Sequence, residues 1–245
     1  MRGMHVEERV APHYDKAKML EARRHTWHAI EKIVAAIRPG MRESEGVELA
    51  KTVLRDLGLL RGWHGVYLRF GTNTVLTYSD KDKDAPEVVL RDNDIFYIDI
   101  GPVWEKWEGD GGDTFVVGND PEMQRAPAAA RQVFDRVHEK WRTESLTGAA
   151  LYDYATEVAR SMGWELAPGV LGHRLSDFPH KAFHSGTLAA TAFAPATDLW
   201  VLEIQIRHPT LPFGAFYEDL LLESGREREQ LIGAGRPDEG YALAT

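Results

Sequence analysis

Four carboxylates interrupt segments of the sequence that are otherwise apolar and typical of strands. Asp99 stands in "IFYIDIG", Asp110 precedes "GGDTFVVG", Glu203 stands in "WVLEIQI" and Glu218 stands in "AFYEDLL". An outward position would explain any one of them, because strand side chains alternate between two faces. Four ionised carboxylates buried together are too costly in free energy unless cations neutralise them. The pattern therefore predicts hard oxygen ligands for two divalent cations.

Three histidines offer the neutral ligand that such a metal pair commonly has. His173, His180 and His184 lie within the segment "GVLGHRLSDFPHKAFHSG". Imidazole nitrogens are frequent metal ligands and also act as acids and bases near neutral pH. An isolated histidine would favour a structural role. Three histidines in one short segment make a metal-binding or catalytic role as consistent with the sequence as a structural one.

Helices and short strands must bring these side chains together. Apolar spacing and breaker residues predict four helices, at residues 17–37, 44–57, 121–143 and 149–163. Strands are predicted in residues 65–78 with a turn inside, in a hairpin at 95–118, and at 198–208 and 214–224. We expect an N-terminal arm at 1–15 and one α+β domain at 16–245, with helices packed on a mainly antiparallel sheet.

Composition excludes several classes of function. The 245 residues carry a formal charge of -9 and contain no cysteine. The negative charge argues against a nucleic-acid partner, and the missing thiols exclude disulfides, zinc-thiolate sites and thiol catalysis. Neither a membrane span nor an apolar secretion leader is present in the sequence, so we expect no membrane partner and a cytoplasmic location.

The order of the candidate ligands resembles that of the M24 metallopeptidases. An Asp lies eleven residues before a second Asp, followed by Gly-His, Glu and Glu-Asp, as in methionine aminopeptidase, proline dipeptidase, aminopeptidase P and creatinase. The resemblance implies the pita-bread fold, a curved, antiparallel-rich sheet with flanking helices. It also implies two divalent cations, with manganese preferred over iron, cobalt or zinc. The implied metal ligands are Asp99, Asp110, His173, Glu203 and Glu218.

The same resemblance implies roles around the metals. Glu203 would move a proton from the attacking water toward the leaving nitrogen, and His180 would contact the substrate and steady the developing oxyanion. Asp113 is expected not to be a ligand. From the length of the sequence we expect no counterpart of the extra N-terminal domain that many proline-specific members carry. This favours a small substrate or a pocket completed by a partner subunit, and we expect a homodimer in which the arm crosses over.

The substrate side departs from the family pattern. Tyr78 stands five residues after Asn73, where the family has a histidine, and we assign Tyr78 to the catalytic group. Arg174 replaces the second glycine of Gly-His-Gly. We expect Arg174, His184 and Trp107 to bind substrate, although a tryptophan in a core or an interface is equally consistent with the sequence.

Two enzymatic interpretations and one non-enzymatic interpretation remain open at this point. The first is a metal-dependent hydrolase, of the aminopeptidase or dipeptidase type, that cleaves the amide bond of a short peptide, Xaa-Pro peptides included. The second is a creatinase-like amidine hydrolase or a lyase acting on a small carboxylate-bearing metabolite, favoured by Tyr78, Arg174 and Lys181. The third, a binding module, is disfavoured because all five ligands are present.

Overall fold

The computed structural model describes residues 5–60, 63–77, 85–176 and 186–223. The described helices are α1 (Lys16–Val34), α2 (Glu43–Asp56), α3 (Pro121–Thr143) and α4 (Gly148–Ser161). The described strands are β1 (Val66–Phe70), β2 (Asp94–Ile100), β3 (Val103–Trp104), β4 (Trp107–Glu108), β5 (Gly111–Val117), β6 (Glu165–Leu166), β7 (His173–Arg174), β8 (Trp200–Arg207) and β9 (Gly214–Leu220). The four predicted helices are confirmed, and the largest difference is that α1 ends at Val34 instead of near residue 37.

Seven strands form one antiparallel sheet in the order β1-β2-β5-β9-β8-β6, with β7 also pairing with β8. The predicted hairpin at 95–118 is β2 paired with β5, but β3 and β4 form a small separate hairpin between them. After β1 the chain forms a short 3-10 helix, Gly71–Val75, where the sequence predicted a turn between strands.

One face of the sheet packs against the helices and forms the main core. Phe96 and Ile98 of β2 and Leu202 and Ile204 of β8 belong to this core, together with Phe134 of α3. Because strand residues alternate between faces, Asp99 of β2 and Glu203 of β8 lie on the other face. No described helix is long and apolar enough to cross a bilayer.

The N-terminal segment 5–15 lies against its own chain. Glu8 is 2% exposed, and its Oε1 accepts hydrogen bonds from the Ala196 amide at 2.6 Å and the Trp200 indole at 2.9 Å. A buried carboxylate that accepts two hydrogen bonds fixes this segment to the body of the protein. The crossing-over of the arm to a partner subunit stays a prediction.

Candidate metal centre

The strand register places the acids in one row across the sheet. Asp99 of β2 pairs with Gly112 of β5, Gly112 pairs with Glu218 of β9, and Glu218 pairs with Glu203 of β8. Residues directly opposite each other in antiparallel strands point to the same face. Asp110 directly precedes β5 and is two residues before Gly112. The register therefore gathers all four carboxylates on the face that does not carry the main core.

His173 completes this group from the neighbouring strand β7. Its Nε2 lies 2.7 Å from Asp110 Oδ2 and 3.5 Å from Glu203 Oε1. Its Nδ1 lies 2.8 Å from the carbonyl oxygen of Arg174, so Nδ1–H must be the donor there. This hydrogen bond orients the ring with Nε2 toward the acids. The structure thus brings together the five side chains that the resemblance implied as ligands.

Gly172 allows His173 to enter this position. Its φ is +61°, in the left-handed region that favours glycine. A Cβ there would lie 2.4 Å from the Val201 carbonyl oxygen and 2.8 Å from the Tyr152 hydroxyl. Any larger residue would push β7 away from β8 and move His173 with it.

A second histidine, His64, reaches the same cluster and was not predicted. Its Nε2 lies 3.6 Å from Asp99 Oδ1, and one ligand atom of each of His64, Asp99 and Asp110 lies within 4.8 Å of the others. His64 precedes β1, which pairs with β2 so that Tyr67 is opposite Asp99. This pairing of β1 with β2 is what brings His64 to Asp99, and no sequence pattern indicated it.

Burial and mutual repulsion raise the pKa values of two carboxyl groups. Burial, helped by the charges of Asp99 and Asp110 and opposed by His173, raises the pKa of Glu203 to about 7. Burial, with repulsion from Asp110, Asp99 and Glu203, raises the pKa of Glu218 well above its usual value. Without cations, this cluster therefore retains protons on carboxylates at neutral pH.

The pKa values of the two histidines are raised as well, but because the neighbouring acids stabilise the charged forms of the rings. Burial acts to lower the pKa of His173, but the hydrogen bond and charge of Asp110 outweigh it and raise that pKa to about 10. Burial likewise opposes charge on His64, while Asp99 and Asp110 raise its pKa. For Asp110, burial is outweighed by His64 and His173, which lower its pKa.

A pair of divalent cations fits this set of donors. Asp99, Asp110 and Glu218 are each 1% exposed. Glu218 Oε1 is buried and receives no hydrogen bond from any residue that the structure describes. Such an oxygen is costly to leave without a partner, and a cation would satisfy it. Four carboxylates balance the charge of two divalent ions, and oxygen and imidazole donors suit manganese, iron, cobalt or zinc.

The acids next to the cluster have other partners on the opposite face. Asp113 receives two hydrogen bonds from Arg131, from Nε at 3.0 Å and from the terminal nitrogen at 2.6 Å. Asp219 receives Arg23 Nε at 2.6 Å and a second guanidinium nitrogen at 2.5 Å, with both side chains fully buried. These arginines fix the two aspartates toward α3 and α1.

Arg174 does not lie where a substrate-binding role would require it. It follows His173 directly in β7, so its side chain points to the opposite side. The fully buried guanidinium donates to the carbonyl oxygens of Glu7 at 3.0 Å and Arg9 at 3.0 Å. The assignment of Arg174 to the substrate is therefore corrected: it anchors the N-terminal segment.

Trp107 is a packing residue beside the cluster. It is 2% exposed and belongs to a small apolar group with Val201 and Leu220, the pair next to Glu203 and Glu218 in β8 and β9. This packing favours the core role that the sequence left open, and a contact of Trp107 with substrate stays a prediction. Trp63 packs against this group, and its ring lies at 5.8 Å, edge to face, from that of His173.

Several predicted residues lie outside the described part of the chain. Tyr78, His180 and His184 are among them, so the structure does not place these three assignments. Asn73, which precedes Tyr78, is described: its amide donates to Glu43 and, at 2.8 Å, to the Pro86 carbonyl oxygen.

Comparison with known sequences identifies the family. The model of metallopeptidase family M24 matches residues 17–222, most of the chain. The chain belongs to metallopeptidase family M24. Among curated proteins, no sequence matches the chain at a significant level. The M24 match includes the whole row of acids and His173.

Solved structures of M24 members show the same fold. Methionine aminopeptidase from Thermotoga maritima superposes with a TM-score of 0.67 at 16% identity, covering 89% of this chain and 96% of that one. X-Pro aminopeptidase from Thermotoga maritima superposes with a TM-score of 0.65 at 18% identity, covering 85% of this chain and 60% of that one. Prolidase from Pyrococcus furiosus superposes with a TM-score of 0.66 at 17% identity, covering 84% of this chain and 60% of that one. The α+β pita-bread fold is confirmed, and the M24 chain spans about 60% of the latter two proteins.

Proposed function

We propose that this M24 protein is a metal-dependent hydrolase with two divalent cations, which cleaves the amide bond of a short peptide. The observation that carries the proposal is the gathering of four buried carboxylates and His173 on one face of the sheet. A buried group of this charge has no structural benefit that well-packed apolar residues would not provide more cheaply. Family membership supports the same conclusion.

The residues that would hold the cations are Asp99, Asp110, His173, Glu203 and Glu218. When bound, the cations would lower the pKa of a water molecule toward neutrality and polarise the carbonyl group under attack. His173 keeps Nε2 turned toward these carboxylates, 2.7 Å from Asp110 Oδ2.

Glu203 is the carboxylate best suited to move a proton. Its side chain is 11% exposed, against 2% for Asp99 and none for Asp110, so it is the most accessible of these three. A general base must come within hydrogen-bond reach of the proton that it takes, and the more accessible carboxylate can do so. Glu203 would take the proton from the attacking water and deliver it to the leaving nitrogen. His180 keeps its proposed role at the oxyanion, and Tyr78 and His184 keep theirs beside the substrate.

The similarity to an X-Pro aminopeptidase and a prolidase supports peptides of the Xaa-Pro type. The full-length match to a methionine aminopeptidase supports a free peptide amino terminus as the second possibility within the same chemistry. The interpretation as an amidine hydrolase or lyase loses one of its supports, because Arg174 is bound to the N-terminal segment. We further propose manganese as the metal, a homodimer and a cytoplasmic location.

Metal content measured by plasma mass spectrometry tests the proposal. The wild-type protein should contain about two equivalents of transition metal, as in two-metal hydrolases, and Glu218→Ala should lose them. Asp113→Asn is the matched control, because Asp113 is equally buried but bound by Arg131 on the opposite face. Wild-type protein that binds no metal after reconstitution would overturn the proposal.

A substrate panel then tests the bond that is cleaved. Xaa-Pro dipeptides, peptides with amino-terminal methionine and small amidines would be compared under identical metal loading. We expect turnover of at least one peptide class, abolished in Glu218→Ala. Turnover of the amidines alone would contradict the peptide assignment and favour the alternative chemistry.

A further inference from the structure

His64 has no part in the ligand set above, although its ring reaches the same carboxylates. Its Nε2 lies 3.6 Å from Asp99 Oδ1. Two donor atoms bound to one cation at ~2.1 Å each lie no more than ~4.2 Å apart. The distance between His64 and Asp99 is already within this limit, so one cation can bind both without a large movement.

The hydrogen bonding of the ring leaves Nε2 able to bind a cation. His64 Nδ1 lies 2.6 Å from the carbonyl oxygen of Gly65. A carbonyl oxygen only accepts, so Nδ1 must carry the hydrogen. In the neutral ring, Nε2 then has a free lone pair, and this lone pair points toward Asp99. An imidazole whose other nitrogen donates to a backbone carbonyl is the usual arrangement of a metal-bound histidine.

The ring is also held firmly from its other sides. Trp63 lies with its ring centroid 5.1 Å from that of His64, and Tyr67 contacts it edge to face at 5.5 Å. At Gly101, two residues after Asp99, a Cβ would lie 2.5 Å from His64 Cβ and 2.8 Å from Trp63. Gly101 therefore lets the backbone after β2 lie directly against the His64 side chain.

His173 provides an internal comparison at the opposite end of the cluster. In both histidines Nδ1 donates to a backbone carbonyl one residue later, and Nε2 faces an aspartate. Trp63 lies between the two rings and contacts each. The two histidines thus approach the row of acids in the same way, His64 beside Asp99 and His173 beside Asp110.

We propose that His64 is a sixth protein ligand of the metal centre, binding the cation nearest Asp99 through Nε2. This inference rests on the proposed two-metal function, to which it adds a residue from the segment before β1. With His64 in place, each cation has one imidazole donor, and neither relies on carboxylates alone.

The test is a cobalt titration of the wild-type protein and of His64→Phe, with X-ray absorption of the loaded samples to count imidazole ligands. Phenylalanine keeps a ring against Trp63 and Tyr67 but has no nitrogen. His25→Phe is the matched control, because the His25 ring stacks on Trp104 outside the cluster. We expect His64→Phe to bind one of the two cations about 100-fold more weakly. Loss of an outer-shell partner already costs up to about 100-fold in affinity, and loss of a direct ligand should cost at least as much. His64→Phe should also show one imidazole fewer than wild type.

The outcomes separate this inference from the proposed function. If His64→Phe binds both cations with wild-type affinity and the same imidazole count, His64 is not a ligand and the two-metal function stands. If the wild-type protein binds no cobalt, the proposed function fails and the inference fails with it. If His64→Phe does not fold, the number of metal-bound imidazoles is compared between the wild type and His173→Ala. A count that falls by one in His173→Ala and leaves no metal-bound imidazole would overturn the inference.

Discussion

Neighbouring acids on the two faces of this sheet are neutralised in different ways. Glu218 and Asp219 are adjacent in β9 and both fully buried, yet they point to opposite faces. Asp219 is bound by the buried guanidinium of Arg23, with two short hydrogen bonds. Glu218 shares its face with three other acids, and the basic groups beside that cluster are the imidazoles of His64 and His173. One face therefore has a permanent cation for its acid, and on the other face we propose that metal ions take this place.

The difference shows how a fold distinguishes a structural carboxylate from a ligand. A bidentate arginine satisfies both oxygens and holds its charge at every pH, so the acid cannot bind a metal. A neutral imidazole brings no positive charge to a carboxylate, and it is itself a good metal ligand. Two buried acids one residue apart can therefore have unrelated roles, and the partner on each face determines which role applies.

Removing the charge of a site acid should have the largest effect. Asp110→Asn keeps the shape of the side chain but removes a negative charge that faces His173 at 2.7 Å. We expect metal affinity and peptide turnover to fall by more than about 100-fold, beyond the loss caused by an outer-shell partner. Calorimetry with manganese and a peptide assay measure the two quantities.

Asp113→Asn sharpens that comparison, because it changes an equally buried acid three residues later. It should weaken the contact with Arg131, lower stability and leave metal affinity close to wild type. A loss of metal in Asp113→Asn as large as that in Asp110→Asn would show that the two faces are not independent.

Breaking the arginine pair on the core face should reduce stability without changing the metal site. Arg23→Met leaves the buried Asp219 carboxylate without its guanidinium partner, and such a change typically costs about 3–5 kcal/mol. Urea unfolding of the metal-free protein measures the loss, and the folded fraction should still bind the wild-type number of cations. The double variant Arg23→Met/Asp219→Leu should recover most of the stability; failure to recover would mean that the pair itself, and not the unpaired charge, stabilises the fold.

The stability contributed by the face that carries the row of acids should depend on pH. In the metal-free protein the pKa of Glu203 is raised from 4.5 to about 7 and that of His173 from 6.5 to about 10. Both groups bind protons more tightly when folded, so the stability associated with them is lost as pH rises through this range. Cations would replace those protons. We expect thermal unfolding to show a larger stabilisation by manganese at about pH 8 than at about pH 5.

The matching control is the same pair of measurements on Glu203→Gln, which removes one of the groups whose pKa is raised. Its metal-free stability should fall less between these pH values than that of the wild type. A metal-free wild-type protein that becomes more stable as pH rises from 5 to 8 would contradict the assigned directions of the pKa shifts.

The acids were predictable from sequence because each interrupts an apolar strand, and this local signal survives without a structure. Asp99, Asp110, Glu203 and Glu218 were identified in this way, and the register confirmed that they share one face. The position of Arg174 was not predictable in this way, because no strand was predicted at residues 173–174; only in β7 does the residue after His173 face the other way.

His64 could not be found by the same reasoning. It lies in "RGWHGVY", outside any periodic pattern, and reaches Asp99 only because β1 pairs with β2 in one register. The arginine partners Arg23 and Arg131 were equally hidden, because each lies on a helix far along the chain from its aspartate. Local patterns identify buried charges, but the partner of each charge is decided by tertiary packing.

The smallest predicted effect concerns the backbone that presents Glu203. The Tyr152 hydroxyl donates to the Glu203 carbonyl oxygen at 3.0 Å and accepts from the Glu203 amide at 3.3 Å. It thus takes the place of a neighbouring strand in the stretch of β8 between its pairings with β7 and β6. Tyr152→Phe leaves both buried backbone groups without this partner and should cost about 1–3 kcal/mol of stability.

Because Glu203 would then be less firmly held, metal affinity in Tyr152→Phe should fall, but by less than in Asp110→Asn. Tyr154→Phe is the control, since Tyr154 belongs to the same helix and its ring lies against Lys140. Wild-type stability together with weakened metal binding would mean that Tyr152 acts on the site directly. Lower stability with unchanged metal affinity would mean that the row of acids keeps Glu203 in place without help from α4.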